Sequence, residues 1–342
     1  MTTFPETPAS ILFINVTRIG DTLFATPAIR AVAAAWPLAK VTVLGHPKRV
    51  TVLENLSFIH DIGSITKNRA ICLGWLTTKK FDLAFVYGSD ENLISYALRV
   101  AKRVVAFQQR NKSINKKLFA SVHPALHGEH EVKKFLRLPE AIGVSHTSLR
   151  IGFQVTPAEI AAANRRLKDA NIATASPLIG LQVASFQTKA YRDWPITYFA
   201  ELCERILVQW PTAHFLIFGG SEEKQRTAWL KEQLGNHAVV FAGHLSLRET
   251  GALMSLIDLY IGIDTGPTHI MSSFDIPMVL LYHCLNSSHI GSPLNHPHCI
   301  MIDHPELIRG NCTNETSMSA ISVEDVFCAV QNTLNIANKI QA

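Results

Sequence analysis

Residues 258–282 read DLYIGIDTGPTHIMSSFDIPMVLLY. The apolar run Leu259-Tyr260-Ile261-Gly262-Ile263 stops at Asp264, Thr265-Gly266-Pro267 punctuate the chain, and an apolar helical pattern opens at His269. That order predicts a strand, a tight turn and a helix, with Pro267 in the first helical turn, where its missing N–H costs nothing. The first N–H groups of such a helix have no partner within it and lie at the positive end of the helix dipole. The turn is therefore an anion site in outline, carrying a carboxylate, a hydroxyl and an imidazole at Asp264, Thr265 and His269. A plainer reading stands beside it, in which Asp264 or Thr265 is an ordinary N-cap.

The same alternation extends outward in both directions. In the first half strands are expected over 11–16, 41–44, 82–87 and 104–107, with helices over 27–36, 50–56 and 93–100. In the second half strands are expected over 178–183, 215–218, 239–241, 258–263 and 278–282, between helices at 157–170, 196–210, 222–234, 246–256, 267–273 and 323–339. Short apolar strands alternating with helices imply parallel sheets covered on both faces. Two such runs joined near 151–158 predict an α/β protein of two Rossmann-like domains, 1–158 and 159–342, with a cleft between them. Ligands then bind at the carboxyl ends of the strands.

Composition removes several classes. The chain has 342 residues, 47% of them hydrophobic, yet no run of about 18 apolar residues that would span a membrane. MTTFPETPAS (1–10) has no basic n-region, so no secretory leader is expected. The six cysteines show no CxxC, and the fifteen histidines no HExxH. Reduced thiols are expected, with neither a disulfide framework nor a metal site. No GxGxxG follows a strand, and no GxxxxGK[ST] or GxSxG occurs. Charge is uneven: residues 1–158 hold 20 Lys+Arg against 10 Asp+Glu, and residues 159–342 hold 12 against 17. Asn92 to Gly128 contains no acidic residue but carries Lys102, Arg103 and Arg110. Such a field attracts anions. The stretch lacks the regularly placed aromatics that base stacking needs, so nucleic acid is not expected.

Three more constellations sit at expected strand ends. Thr17-Arg18-Ile19-Gly20-Asp21-Thr22 follows the first strand, with Gly20 permitting a sharp turn. Asp21 stands there either as a general base on a hydroxyl or as a helix cap, and because Thr26-Pro27 signals the start of the next helix, Asp21 is expected in a longer irregular loop. Lys189-Ala190-Tyr191-Arg192-Asp193-Trp194-Pro195 precedes a helix whose dipole disfavours a cation at that end. Arg192 thus suggests a bound anion, with Asp193 as the alternative partner. Phe218-Gly219-Gly220-Ser221-Glu222-Glu223 lets a ligand approach the backbone, and Glu222 either meets a ribose diol or opens the next helix.

Taken together, RIGDTLFATPAIRAVAAAWP (18–37), RDWP (192–195), FGGSEE (218–223), DTGPTHIMSSFDIP (264–277) and NCTNETSMSAISVEDV (311–326) resemble the lipopolysaccharide heptosyltransferases, glycosyltransferase family 9. The resemblance implies the GT-B fold and inverting transfer of heptose from ADP-heptose. It implies Asp21 as the base, and Arg192, where the family usually has lysine, on the donor diphosphate. Glu222 would face the ribose, and Asp264, Thr265 and Gly266 would hold diphosphate and sugar, with His269 nearby. No metal or other cofactor is implied. The acceptor would be an anionic lipid A/Kdo-type molecule held by the basic first domain through Arg18, Lys102, Arg103 and Arg110. That places the protein in the cytoplasm, peripherally on the inner face of the membrane. The family's glycine- and threonine-containing loop is replaced here by Tyr282-His283-Cys284-Leu285-Asn286. Two alternatives stay open: another donor or acceptor on the same fold, protein heptosylation included, and a nucleotide-sugar-binding module without catalysis.

Overall fold

The apolar run after Ala9 becomes an inner strand of a six-stranded sheet. β1 (Ser10–Asn15) lies between β2 (Lys40–Gly45) and β4 (Phe81–Tyr87). β3 (Asp61–Ser64) closes one edge, and β5 (Ala101–Phe107) then β6 (Ala120–Val122) the other, giving the order β3-β2-β1-β4-β5-β6. The second half repeats this plan with β7 (Leu178–Gln182), β8 (His214–Phe218), β9 (Ala238–Val240), β10 (Leu259–Ile263), β11 (Met278–Tyr282) and β12 (Cys299–Asp303). Its order is β12-β11-β10-β7-β8-β9. Each pairing is parallel. β7, β10 and β11 are buried along their whole length, as strands covered by helices on both faces must be. In each sheet the loops diverge where the order reverses, between β1 and β4 and between β7 and β10, and that leaves a crevice at the carboxyl ends.

The computed structural model describes residues 7–75, 79–124 and 128–341. Residues 1–6, within the stretch read for a leader, and 125–127, within the acid-free stretch, lie outside them. No described helix is long and apolar enough to cross a membrane. The chain divides into two compact units, Met1–Gln154 and Val155–Ala342. A border at 158/159 would cut the helix Pro157–Asp169. Thr156 caps that helix, its hydroxyl accepting the Glu159 N–H at 3.2 Å while the Glu159 carboxylate accepts the Thr156 N–H at 2.8 Å. Arg248, on the helix Leu247–Met254, then donates twice to Glu159, at 2.8 and 2.7 Å. The helix therefore belongs to the second unit as a whole.

β3, β6 and β12 have no counterpart among the expected strands. All three are short edge strands with half-exposed residues, so none needs a strong apolar pattern.

Candidate active site

In the second unit the ends of β7 and β10 bring the expected anion-binding residues together. Gln187–Arg192 follows β7 as a short 3-10 turn, and Asp264 follows β10 directly. Arg192 Nη1 donates to Asp264 Oδ2 at 2.8 Å and to the Asp264 carbonyl at 3.3 Å. His269 Nε2 lies 3.3 Å from Asp264 Oδ1. Burial alone would push the Asp264 carboxyl up, but His269 and Arg192 together hold it below its ordinary value. Asp264 is therefore not a helix cap. Thr265 occupies the N-cap position of the helix Gly266–Met271, yet its own side chain makes no capping hydrogen bond. The Thr265 hydroxyl instead meets Thr268 Oγ1 at 3.2 Å. The amide end of that helix is thus left for another acceptor.

Asp193 is not the partner of Arg192. It accepts from the Ser185 N–H and hydroxyl and pairs with Arg226. This ties the start of the β7 loop to its end and leaves Arg192 to Asp264. Tyr191 adds a platform that the sequence reading had not singled out. Lys189 Nζ lies 5.4 Å and Arg192 Cζ 5.6 Å from its ring centre, within cation–π range. Burial would raise the Tyr191 phenol, but Arg192 and Lys189 bring it below the ordinary value. Three buried oxygens of this unit have no partner among the described residues: Gln182 Oε1 at the end of β7, Tyr282 Oη at the end of β11 and Glu223 Oε2 after β8. Burial, and then the Asp264 charge, push Tyr282 well up, so it stays a neutral donor. Buried polar atoms without partners are uncommon in folded proteins. Of the two glutamates, Glu222 is exposed, while Glu223 is turned inward. Burial, and then its acidic neighbours Glu222 and Asp193, raise Glu223.

In the first unit Asp21 is not in an irregular loop, and Gly20 makes no sharp turn. Both lie in the helix Ile19–Phe24, which a single residue, Ala25, separates from Thr26–Ala35. Asp21 Oδ2 accepts the Arg18 N–H at 3.4 Å, a weak first-turn cap that leaves the half-buried carboxylate largely uncommitted. The segment is pinned from below. Asn15 Nδ2 donates to the Asp21 carbonyl at 3.1 Å, and Arg49 Nη1 to the Thr17 carbonyl at 2.8 Å. Arg110 is exposed three residues beyond the end of β5, on the sheet edge that carries Arg18 and Asp21. Lys102 and Arg103 are not there. They open β5, about 16 Å away along the strand at 3.3 Å per residue. Lys102 pairs with Asp82 at 2.8 Å, and Arg103 lies 5.1 Å from the Phe119 ring centre. The run of basic residues is continuous in sequence, but the strand carries its two ends to opposite edges of the sheet.

The cysteines also depart from expectation. Cys284 and Cys312 form a disulfide, whereas Cys72, Cys203 and Cys328 are free. His283, Cys284 and Cys312 bring three ligand atoms within 4.8 Å of one another, although the two sulfurs are bonded to each other. A separation of 28 residues gives no local signal of that pairing.

Residues 79–316 match the profile of glycosyltransferase family 9 (heptosyltransferase), well over half the chain. Lipopolysaccharide heptosyltransferase 3 of Escherichia coli is 22% identical over 281 residues, covering 77% of this chain and 80% of that protein. A glycosyltransferase family 9 structure from Veillonella parvula DSM 2008 superposes with a TM-score of 0.83 at 19% identity, covering 96% of this chain and 97% of that one. The E. coli heptosyltransferase WaaC, solved with ADP, superposes at 0.70 and 16% identity, covering 95% and 99%. The likenesses to solved structures establish the two-unit α/β fold expected from the sequence.

Proposed function

The chain belongs to glycosyltransferase family 9, the heptosyltransferases, and we propose that it moves a heptose from ADP-heptose to an inner-core acceptor of lipopolysaccharide with inversion. One observation carries the donor half. Arg192, Asp264 and His269 converge on the uncapped end of Gly266–Met271, beside the unpartnered oxygens of Gln182 and Tyr282. Arg192 and Lys189, with the amides at Thr265–Gly266, take the diphosphate. Asp264 sets the angle of the guanidinium, with His269 behind it. Glu222, exposed at the mouth, takes the ribose diol.

Asp21 accepts the proton of the acceptor hydroxyl as its oxygen attacks the anomeric carbon. The bond from that carbon to the ADP oxygen breaks on the opposite face. Charge growing on ADP is stabilised by fixed cations and amides, which is where preorganised groups contribute most. Arg18 and Arg110, on the same edge as Asp21, supply positive charge for an anionic Kdo–lipid A type acceptor. Such an acceptor is anchored in lipid, so the reaction runs at the inner face of the cytoplasmic membrane with the basic first unit against it.

The test follows ADP release from ADP-heptose with a Kdo–lipid A acceptor. Asp21→Ala should abolish release while leaving ADP binding intact, and equal release by both proteins removes Asp21 from the role. Arg192→Ala should weaken ADP binding by at least roughly tenfold, the value of a charged hydrogen bond. Tight ADP binding with no release from any heptose donor would make the chain a binding module instead.

A further inference from the structure

The segment after β11 carries chemistry that heptosyl transfer does not use. Cys284 and Cys312 are disulfide-bonded with Cα atoms 5.9 Å apart, inside the ordinary span for such a bond. Cys284 is buried at the start of the short turn Cys284–Asn286, and Cys312 is partly exposed. His283 Nδ1 lies 3.9 Å from one sulfur and 4.0 Å from the other. From this knot contacts run straight to the anion grip. The Tyr191 hydroxyl donates to Asn286 Oδ1 at 3.1 Å, and the His283 and Tyr191 rings meet edge-on at 4.9 Å. Tyr191 in turn lies under Arg192, which holds Asp264.

We propose that Cys284–Cys312 is a redox-active pair, reacting with low-molecular-weight thiols and disulfides, and that its state sets how firmly the Tyr191–Arg192 turn holds a nucleoside diphosphate. The second clause rests on the donor reading above. In the reducing direction a glutathione thiolate attacks the more exposed Cys312 Sγ. The bond between the two cysteines breaks, and Cys284 leaves as a thiolate beside His283. A second glutathione thiolate attacks the glutathione sulfur of the mixed disulfide and releases Cys312. Two electrons and two protons have then passed to the cysteines, and glutathione disulfide is formed. Oxidation by glutathione disulfide is the reverse. Closed, the bond fixes the turn that presents Asn286 to Tyr191. Open, that turn loses its tether, and Tyr191 with Arg192 must be ordered when the ligand binds. Pairs of this kind in reducing compartments are characteristically transient and redox-sensing.

The full-length protein is equilibrated with reduced or oxidised glutathione, alkylated under denaturing conditions, and its Cys284 and Cys312 peptides weighed by mass spectrometry. The pair should close in the oxidised buffer and open in the reduced one. ADP binding by calorimetry should weaken roughly 3- to 10-fold on reduction, the cost of ordering one long side chain. Cys312→Ala and Cys284→Ala should show the weaker affinity in both buffers. The proposal is overturned if both cysteines remain alkylatable after oxidation, if the reduced pair holds stoichiometric zinc, or if ADP affinity is the same in both states. If neither state binds ADP, the donor reading fails, and hydrogen exchange across residues 189–193 decides the coupling. Slower exchange in the oxidised protein supports it, and equal exchange overturns it.

Discussion

Asp264→Asn removes one charge from the place where burial and pairing meet. Asp264 and Arg192 keep only 12% and 14% of their side-chain exposure, and Oδ2 lies 2.8 Å from Nη1. With charge centres about 4 Å apart and an effective dielectric near 20, the attraction is about 4 kcal/mol. Asparagine retains an oxygen for the arginine but leaves a poorly solvated guanidinium without its counter-charge, for a net cost of about 2–4 kcal/mol. For a unit of this size that lowers Tm by roughly 4–15 °C. Bound ADP should then act in the opposite direction. In the wild type a diphosphate must share Arg192 with Asp264, whereas in the variant it supplies the missing anion. Saturating ADP should therefore raise the Tm of Asp264→Asn several degrees further than that of the wild type, most clearly at low salt, where screening is weakest. Differential scanning calorimetry with and without ADP reads both effects. The reasoning is refuted if the variant melts with the wild type, or if ADP shifts both proteins equally, because carboxylate and diphosphate would then not be competing for one arginine.

Two further outcomes test the frame around this site. Tyr282→Phe removes a buried hydroxyl that has no partner among the described residues, so its urea midpoint should be unchanged or raised by the equivalent of up to about 1 kcal/mol. A clear loss would reveal a partner. Glu159, held by the Arg248 guanidinium and then by Thr156, is depressed to about 2. Its unfolded value is about 4.3, so its contribution is complete above that pH and is lost as pH falls through about 4 towards 2. The gap in urea midpoint between the wild type and Glu159→Gln should therefore narrow across that window, and a constant gap would show that the carboxylate charge is not what Arg248 recognises.

Much of the fold was legible because its central strands are buried on both faces. β7, β10 and β11 are apolar runs ended by polar punctuation, so the strand, the turn and the helix start could be placed within a residue or two. The edge strands were not legible: Asp61–Ser64 has one large apolar side chain, and Cys299–Asp303 sits between histidines. The site was legible where a residue type was unusual for its position, as with a cation ahead of a helix at Arg192. It was not legible where significance depends on what is missing in three dimensions. Gln182 and Tyr282 look like ordinary strand ends until their oxygens prove to be buried without partners. Asp21 was misplaced into a loop because Thr26-Pro27 is a strong helix start, which hid the shorter helix directly before it. The basic stretch misled in another way, since it does not show that β5 carries Lys102 and Arg110 to opposite edges.

The fully buried Trp194 donates its indole N–H to the Ile321 carbonyl at 2.9 Å, across 127 positions. The turn that carries Arg192 is thus anchored by a segment far along the chain, made well after it. The first sheet is complete once Ala120–Val122 has left the ribosome, and a nascent chain folds from that end. The Arg192 turn has to wait until Ile321 has emerged. A chain halted before that point holds a finished first sheet and an Arg192 turn without its anchor.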